Sequence, residues 1–383
     1  MNRLFQKLAW RIYHTVHTNG MLADAVYGGA FHLNKFRRKW LYASMAKAPV
    51  SLDELWPHRH IEASNILVTG VTNICNAKCS FCAYPKVVAN KTLQTGVMSL
   101  DVFKKAAAEW AELGGQSLDL TPVVGDPLVD PGLLEKLDFA VKEARIKNVS
   151  LTTNAILLNK NETYRQLIDR GIGAVFISTQ GADRKMYELV YGVKHYDEAM
   201  SGIRNLLAYN RERGEPASIV VRFRNAQKPS QIIRSRDFMA NIRPYLSEKV
   251  RINFTVDFDN WGGTIELSDM LGSMKLRQLP PQLKVPCQAL FGFAVRHDGN
   301  VRLCGCRLTR NDLDDLVVGN IKENSLREIA AGERAWDVIK GFYSGSRPET
   351  CRGCTLYQPI TRSWLNRRAA FTGIQNHQPV KAA

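Results

Sequence analysis

Between Ile61 and Val256, short β-prone runs alternate with longer helix-prone ones, and this alternation limits the fold more than any other feature of the 383-residue chain. The runs Asn65 to Thr69, Ser117 to Thr121, Val149 to Thr153, Ala174 to Ser178, Ile219 to Phe223 and Val250 to Val256 read as strands. One helix is bounded in the sequence itself: Ser99 stands as N-cap before the run Phe103 to Leu113, and Gly114-Gly115 ends it. Six repeats of strand then helix imply parallel strands joined by right-handed crossovers, an α/β fold. Periodicity alone leaves an open sheet and a barrel both standing.

Directly after the first strand, Cys75, Cys79 and Cys82 are spaced C-x3-C-x2-C. Three thiols suit three corners of an iron–sulfur cube and leave its fourth iron without a protein ligand, where chemistry can occur. A zinc site is the competing use, but zinc sites usually pair C-x2-C units to complete a tetrahedron. Five more cysteines follow: Cys287, Cys304, Cys306, Cys351 and Cys354. Clustered cysteines in a chain without an export signal fit metal ligation better than disulfides and need a reducing compartment, so a cytoplasmic location is expected. No run of about eighteen apolar residues occurs, as a spanning helix would need.

The triad, with Phe81 just before its last thiol, resembles the signature of the radical S-adenosylmethionine (SAM) superfamily, and weaker likeness runs from Ile61 to Cys354. The resemblance implies a partial (β/α)6 TIM-type barrel over 61–265, with its chemistry at the C-terminal ends of the strands. It also implies that a cluster-bound SAM yields a 5′-deoxyadenosyl radical, with electrons from a donor such as flavodoxin or ferredoxin. Candidate SAM contacts are Tyr84, beside the triad; Gly125 and Asp126, where the family commonly has Gly-Glu-Pro; Asn154, in a Thr-Asn-Gly-like turn; and Ser178, in a Ser-x-Asp-Gly-like turn with Gln180 in the acidic position. Arg222 joins them if strand alternation turns it inward, where its guanidinium would suit the SAM carboxylate. Tyr187 and Tyr191-Gly192 match the following helix in a structural role, and Asp257 to Gly263 closes the last strand.

Cys287, Cys304, Cys351 and Cys354 resemble the shortened, four-cysteine "twitch" form of the SPASM domain. That implies one auxiliary [4Fe–4S] cluster, fully ligated, in a small C-terminal iron–sulfur domain that together with a basic tail spans 266–383. Cys306 is the odd thiol: a replacement ligand, an inert buried thiol, or a hydrogen-atom donor to a substrate radical. The expected activity is hydrogen abstraction from a small polar, sugar- or cyclitol-like substrate, followed by dehydrogenation assisted by the auxiliary cluster. Epimerisation through Cys306 and peptide or protein modification are the alternatives.

A net charge of +16 raises the local concentration of anionic partners. With no RNA-reading motif, nucleic acid is not expected. Residues 1–60 form a basic, largely helical extension, within which Leu4, Leu8, Ile12 and Val16 recur at helical spacing beside Arg3, Lys7 and Arg11. Such a helix can lie on an anionic membrane surface or pack its stripe on the domain behind it. From residue 20 to 60, Gly20, Gly28-Gly29, Pro49 and Pro57 punctuate what reads as a connecting region.

Overall fold

The computed structural model describes residues 3–58, 67–91, 94–180, 183–255, 257–305 and 314–372. Strands β1 (Leu67–Thr69), β2 (Ser117–Asp119), β3 (Asn148–Thr153), β4 (Ala174–Thr179), β5 (Ser218–Phe223) and β6 (Val250–Phe254) lie side by side in chain order, each parallel to the next. Helices occupy the crossovers, Leu100–Glu112 beginning on the Ser99 N-cap as expected. Burial alternates along β3, β4 and β5. One residue set packs under the helices, as Phe223 does on Phe238 with ring centroids 6.1 Å apart. The other set, which includes Ser178 and its register partner Arg222, lines the concave face.

The sheet does not close on itself. Beyond β1 it continues through β7 (Phe293–Val295), parallel to β1, and then through β8 (Asn300–Leu303) and β9 (Val317–Asn320) as antiparallel neighbours. The architecture is thus a partial (β/α)6 barrel whose first strand also carries a hairpin of the C-terminal segment. That hairpin begins six residues after Cys287 and places Cys304 one residue past the end of β8.

At the opposite edge, β6 would leave backbone groups unpaired, a hazard that proteins commonly cover. Helix α1 (Arg3–Thr18) covers it: the Tyr13 hydroxyl donates to the Ile252 carbonyl at 2.7 Å and accepts from the Ile252 amide at 2.6 Å. His17 stacks on Tyr13 and hydrogen-bonds the Tyr27 hydroxyl at 2.7 Å. The aromatic face therefore docks, while Leu8 and Ile12 of the expected packing stripe stay exposed.

The expected connecting region is instead largely one helix, α2 (Gly20–Lys47). Asn19 caps it, accepting from the amides of Met21 and Leu22. Gly28 and Gly29 cost about 1 kcal/mol each in a helix interior, but tertiary contacts fasten both ends. Asp24 accepts from the amide and hydroxyl of Ser230, and the Tyr42 hydroxyl donates to the Tyr357 carbonyl. No described helix is long and apolar enough to cross a membrane.

Candidate active site

The loop bearing Cys75, Cys79 and Cys82 leaves the C-terminal end of β1 and is held from four sides. The Asn73 side chain donates to the Gln94 carbonyl and accepts from the Gly96 amide, both at 2.8 Å. The amides of Lys78 and Ser80 donate to the carbonyls of Tyr191 and Val190 at the end of the helix Arg184–Tyr191. Gly192 lets that helix end come close, since a Cβ there would stand 2.8 Å from the Lys78 carbonyl oxygen. From the β2 side, the Asp126 amide donates to the Ile74 carbonyl at 2.9 Å. From the β6 side, the Trp261 indole donates to the Phe81 carbonyl at 2.9 Å.

The three thiols are close enough to raise one another's proton affinity, but burial is the larger cause. It pushes the Cys75 thiol up to about 12 and Cys79 well above the ordinary range. Thiolates in such a place need positive charge beside them, which metal supplies. Two further features fit an iron–sulfur group. The buried Asn76 Nδ2 and Ser80 Oγ, both within the loop, have no hydrogen-bond partner. The Tyr84 amide points at Cys82 Sγ from 3.5 Å. Unmatched buried donors in this loop, and an amide already directed at a thiol, fit a group that would bring sulfide and thiolate acceptors. Among the described residues no three His, Cys, Asp or Glu side chains converge on one point as a single ion would need, and a cluster with one thiolate per corner does not require them to.

The expected SAM-binding residues divide. Gly125, at φ +117°, presses against the cysteine loop. Asp126 turns its carboxylate inward: it accepts from the Leu128 amide at 3.0 Å, from the Thr153 hydroxyl at 3.0 Å and from the Asn154 amide at 2.7 Å. Burial pushes this carboxyl up to about 6. The shorter aspartate thus braces the end of β3 against the β2 loop where a ligand-facing ammonium contact was expected. Asn154 donates to Asn76 Oδ1 at 2.6 Å and stands 4.0 Å from Cys75 Sγ, so it positions the loop. Ser178 faces the concave side, 3.2 Å from the Tyr191 hydroxyl.

Strand alternation does turn Arg222 inward, but its guanidinium lies 3.9 Å over the Phe176 ring and near Asp119. Arg224, two residues further on and just past the C-terminal end of β5, donates to Ser178 Oγ and Thr255 Oγ1, each at 3.3 Å, and its charge favours the Cys79 thiolate. Sequence reasoning missed it, although Arg224 shares the parity of Arg222 and differs only in height.

The second set of thiols also gathers. Cys287, Cys304, Cys351 and Cys354 lie within mutual electrostatic reach, and burial pushes Cys287 up to about 12. Cys304 adopts a left-handed φ of +64°, and buried Arg302, paired with Asp314, donates to the Cys304 carbonyl. Cys306 lies outside the described residues. The loop after β6 joins the two sets. Asn260 donates to the Gly353 carbonyl at 2.8 Å and accepts from the Thr355 hydroxyl at 3.1 Å, while its neighbour Trp261 holds Phe81. Asp257, in the segment that closes the last strand, is paired bidentately with Arg277.

A sequence model of the radical SAM superfamily matches residues 69–226, and one of an iron–sulfur cluster-binding domain, SPASM, matches residues 287–355. A GTP 3′,8-cyclase from Pectobacterium atrosepticum is 26% identical over 133 residues, 35% of this chain and 39% of that protein. The chain therefore matches well under half the length of this curated relative. Among solved structures, Streptococcus suis SuiB bound to precursor peptide SuiA aligns with a TM-score of 0.51 at 16% identity, covering 79% of this chain and 72% of that one. Native anSMEcpe with bound AdoMet aligns with a TM-score of 0.50 at 15% identity, covering 73% and 83%. At these identities the structural likeness is one of fold.

Proposed function

The chain belongs to the radical SAM superfamily and carries a SPASM-type domain, and from that premise we propose that it dehydrogenates a small polar, sugar- or cyclitol-like substrate. Its cofactors are a SAM-binding [4Fe–4S] cluster, auxiliary iron–sulfur and SAM; the proposal specifies one auxiliary [4Fe–4S] cluster on Cys287, Cys304, Cys351 and Cys354. Together SAM and the reduced first cluster supply a 5′-deoxyadenosyl radical, with the electron coming from a donor of flavodoxin or ferredoxin type. Cys75, Cys79 and Cys82 hold that cluster. The Tyr84 amide and Asn154 orient it, Gly125 lets the β2 loop close on it, and Ser178 and Arg224 offer a hydroxyl and a cation to SAM. Arg222 serves deeper in the barrel, and Asp126 is a positioning residue.

The observation that carries the oxidative reading is the Asn260-Trp261 link, which hydrogen-bonds to both cysteine segments. A substrate that gives up a hydrogen atom and then a proton must also release one electron, and Cys287, Cys304, Cys351 and Cys354 would hold a fully ligated cluster able to take it up. The test is a substrate screen with SAM and reductant, read by mass. Dehydrogenation predicts a product two hydrogens lighter and one 5′-deoxyadenosine per turnover. A product of unchanged mass would replace this reading with epimerisation, and modification of a peptide would replace the substrate class. Cys306→Ala is expected to keep iron content and to change turnover by less than about threefold, because an oxidation needs no returning hydrogen atom. Arg224→Gln is expected to raise the KM for SAM about 10- to 100-fold by removing a charge-assisted contact. Arg222→Gln should raise it far less, since that guanidinium already rests on Phe176.

A further inference from the structure

Helix α2 is apolar on two sides, and the fold uses one of them. Ala23, Tyr42 and Met45 are buried against the domain. At about 100° per residue, Leu22, Val26, Leu33, Phe36 and Trp40 fall within an arc of about 80° on the other side. These residues are out in solvent: Leu33 is 70% exposed, Phe36 71% and Trp40 66%. Their spacing continues through exposed Gly29, so the stripe runs most of a helix about 40 Å long. Large side chains in a continuous exposed row mark a surface that something covers.

The charges around the stripe select the occupant. Helices α1 and α2 carry Arg3, Lys7, Arg11, Lys35, Arg37, Arg38, Lys39 and Lys47 against a single acid, Asp24. That acid is turned away, bonded to the amide and hydroxyl of Ser230. Arg37 lies to one side of the stripe, Lys39 and His32 to the other. Two copies meeting stripe to stripe would line one seam with cations and offer no carboxylate in answer. An anionic lipid surface answers both features, taking Leu33, Phe36 and Trp40 into the acyl boundary while phosphates meet Arg37 and Lys39.

We propose that the outer face of α2 seats this protein on an anionic membrane surface, lying in the interface without spanning it. The proposal is independent of the reaction assigned above. Sedimentation of the intact, cluster-loaded protein with vesicles tests it. The chain is expected to pellet with equimolar phosphatidylcholine and phosphatidylglycerol, to stay in solution with phosphatidylcholine alone, and to be released by salt. Leu33→Gln/Phe36→Gln/Trp40→Gln should lower the partition coefficient more than about 100-fold, three large apolar side chains being withdrawn from the boundary. Circular dichroism and iron content should be unchanged, because all three side chains stand clear of the core. Arg37→Gln/Lys39→Gln, which removes no apolar contact, should lower the partition about tenfold. The proposal is overturned if the wild-type chain ignores anionic vesicles, pellets equally with both compositions, or pellets undiminished in the triple variant. A wild type that ignores vesicles but forms a dimer dispersed by the triple variant assigns the stripe to a second copy.

Discussion

A chain carrying Cys75→Ala, Cys79→Ala and Cys82→Ala together is expected to hold about four irons where the reconstituted parent holds about eight, and to release no 5′-deoxyadenosine from SAM. The loss should be one of chemistry with the fold retained. The loop is fastened by groups other than its thiols: the Asn73 side chain to the 94–96 segment, the amides of Lys78 and Ser80 to the helix Arg184–Tyr191, and the Phe81 carbonyl to Trp261. The four C-terminal thiols come from other segments of chain and should keep their iron. Iron analysis, far-ultraviolet circular dichroism and a SAM-cleavage assay on the same preparation separate the outcomes. Retained 5′-deoxyadenosine production would end the assignment of the triad as the radical-generating site, and loss of all iron would show that the second set does not stand alone.

The six parallel strands were legible because each combines β-branched or apolar residues at alternate positions with turn residues beyond its end. Where their expected ends fall on described residues they agree within about two residues, the uncertainty usual for element ends, while Asn65 and Val256 lie outside the described residues. The cysteine sets were legible because ligand spacing is local within each loop. What was not legible is mostly non-local. No pattern around Phe293 says that β7 will pair with β1, which precedes it by more than two hundred residues. The docking of Tyr13 on the edge of β6 has the same character: the helical spacing of Leu4, Leu8, Ile12 and Val16 is real, but the sheet edge needs hydrogen-bonding groups, and a tyrosine hydroxyl supplies both donor and acceptor. Helix α2 runs through Gly28-Gly29 because the Asn19 cap and the contacts at Ser230 and Tyr357 outweigh the local glycine cost. Asp126 and Arg224 illustrate a finer limit. A motif places a residue at a strand end, while one methylene of reach decides whether a carboxylate meets a ligand or its neighbouring amides, and two residues of height decide which arginine nears Cys79.

Gly125→Ala is expected to have the largest effect of any single methyl group added near the site: a stability loss of about 2–4 kcal/mol and SAM cleavage slowed at least about 100-fold. Two costs combine. At φ +117° the backbone occupies a region that side chains strongly disfavour. The added Cβ would also stand 2.9 Å from the Ile74 carbonyl oxygen and 3.0 Å from the Asn73 carbonyl carbon. Those neighbours are main chain, so relief requires displacing the segment that delivers Cys75, or breaking the bond from the Asp126 amide to Ile74. Displacement by a fraction of an ångström moves the cluster relative to Ser178 and Arg224, and reaction rates respond steeply to such misplacement. Gly345→Ala separates the two costs. Gly345 has a comparable φ of +90° at a helix end, with nothing within 4 Å of an added Cβ, so that variant should lose only about 1 kcal/mol and keep full activity. Denaturant midpoints and 5′-deoxyadenosine rates for the pair provide the measurement. Equal behaviour of the two variants would mean that the close approach of the β2 loop to the cysteine loop does not govern the site.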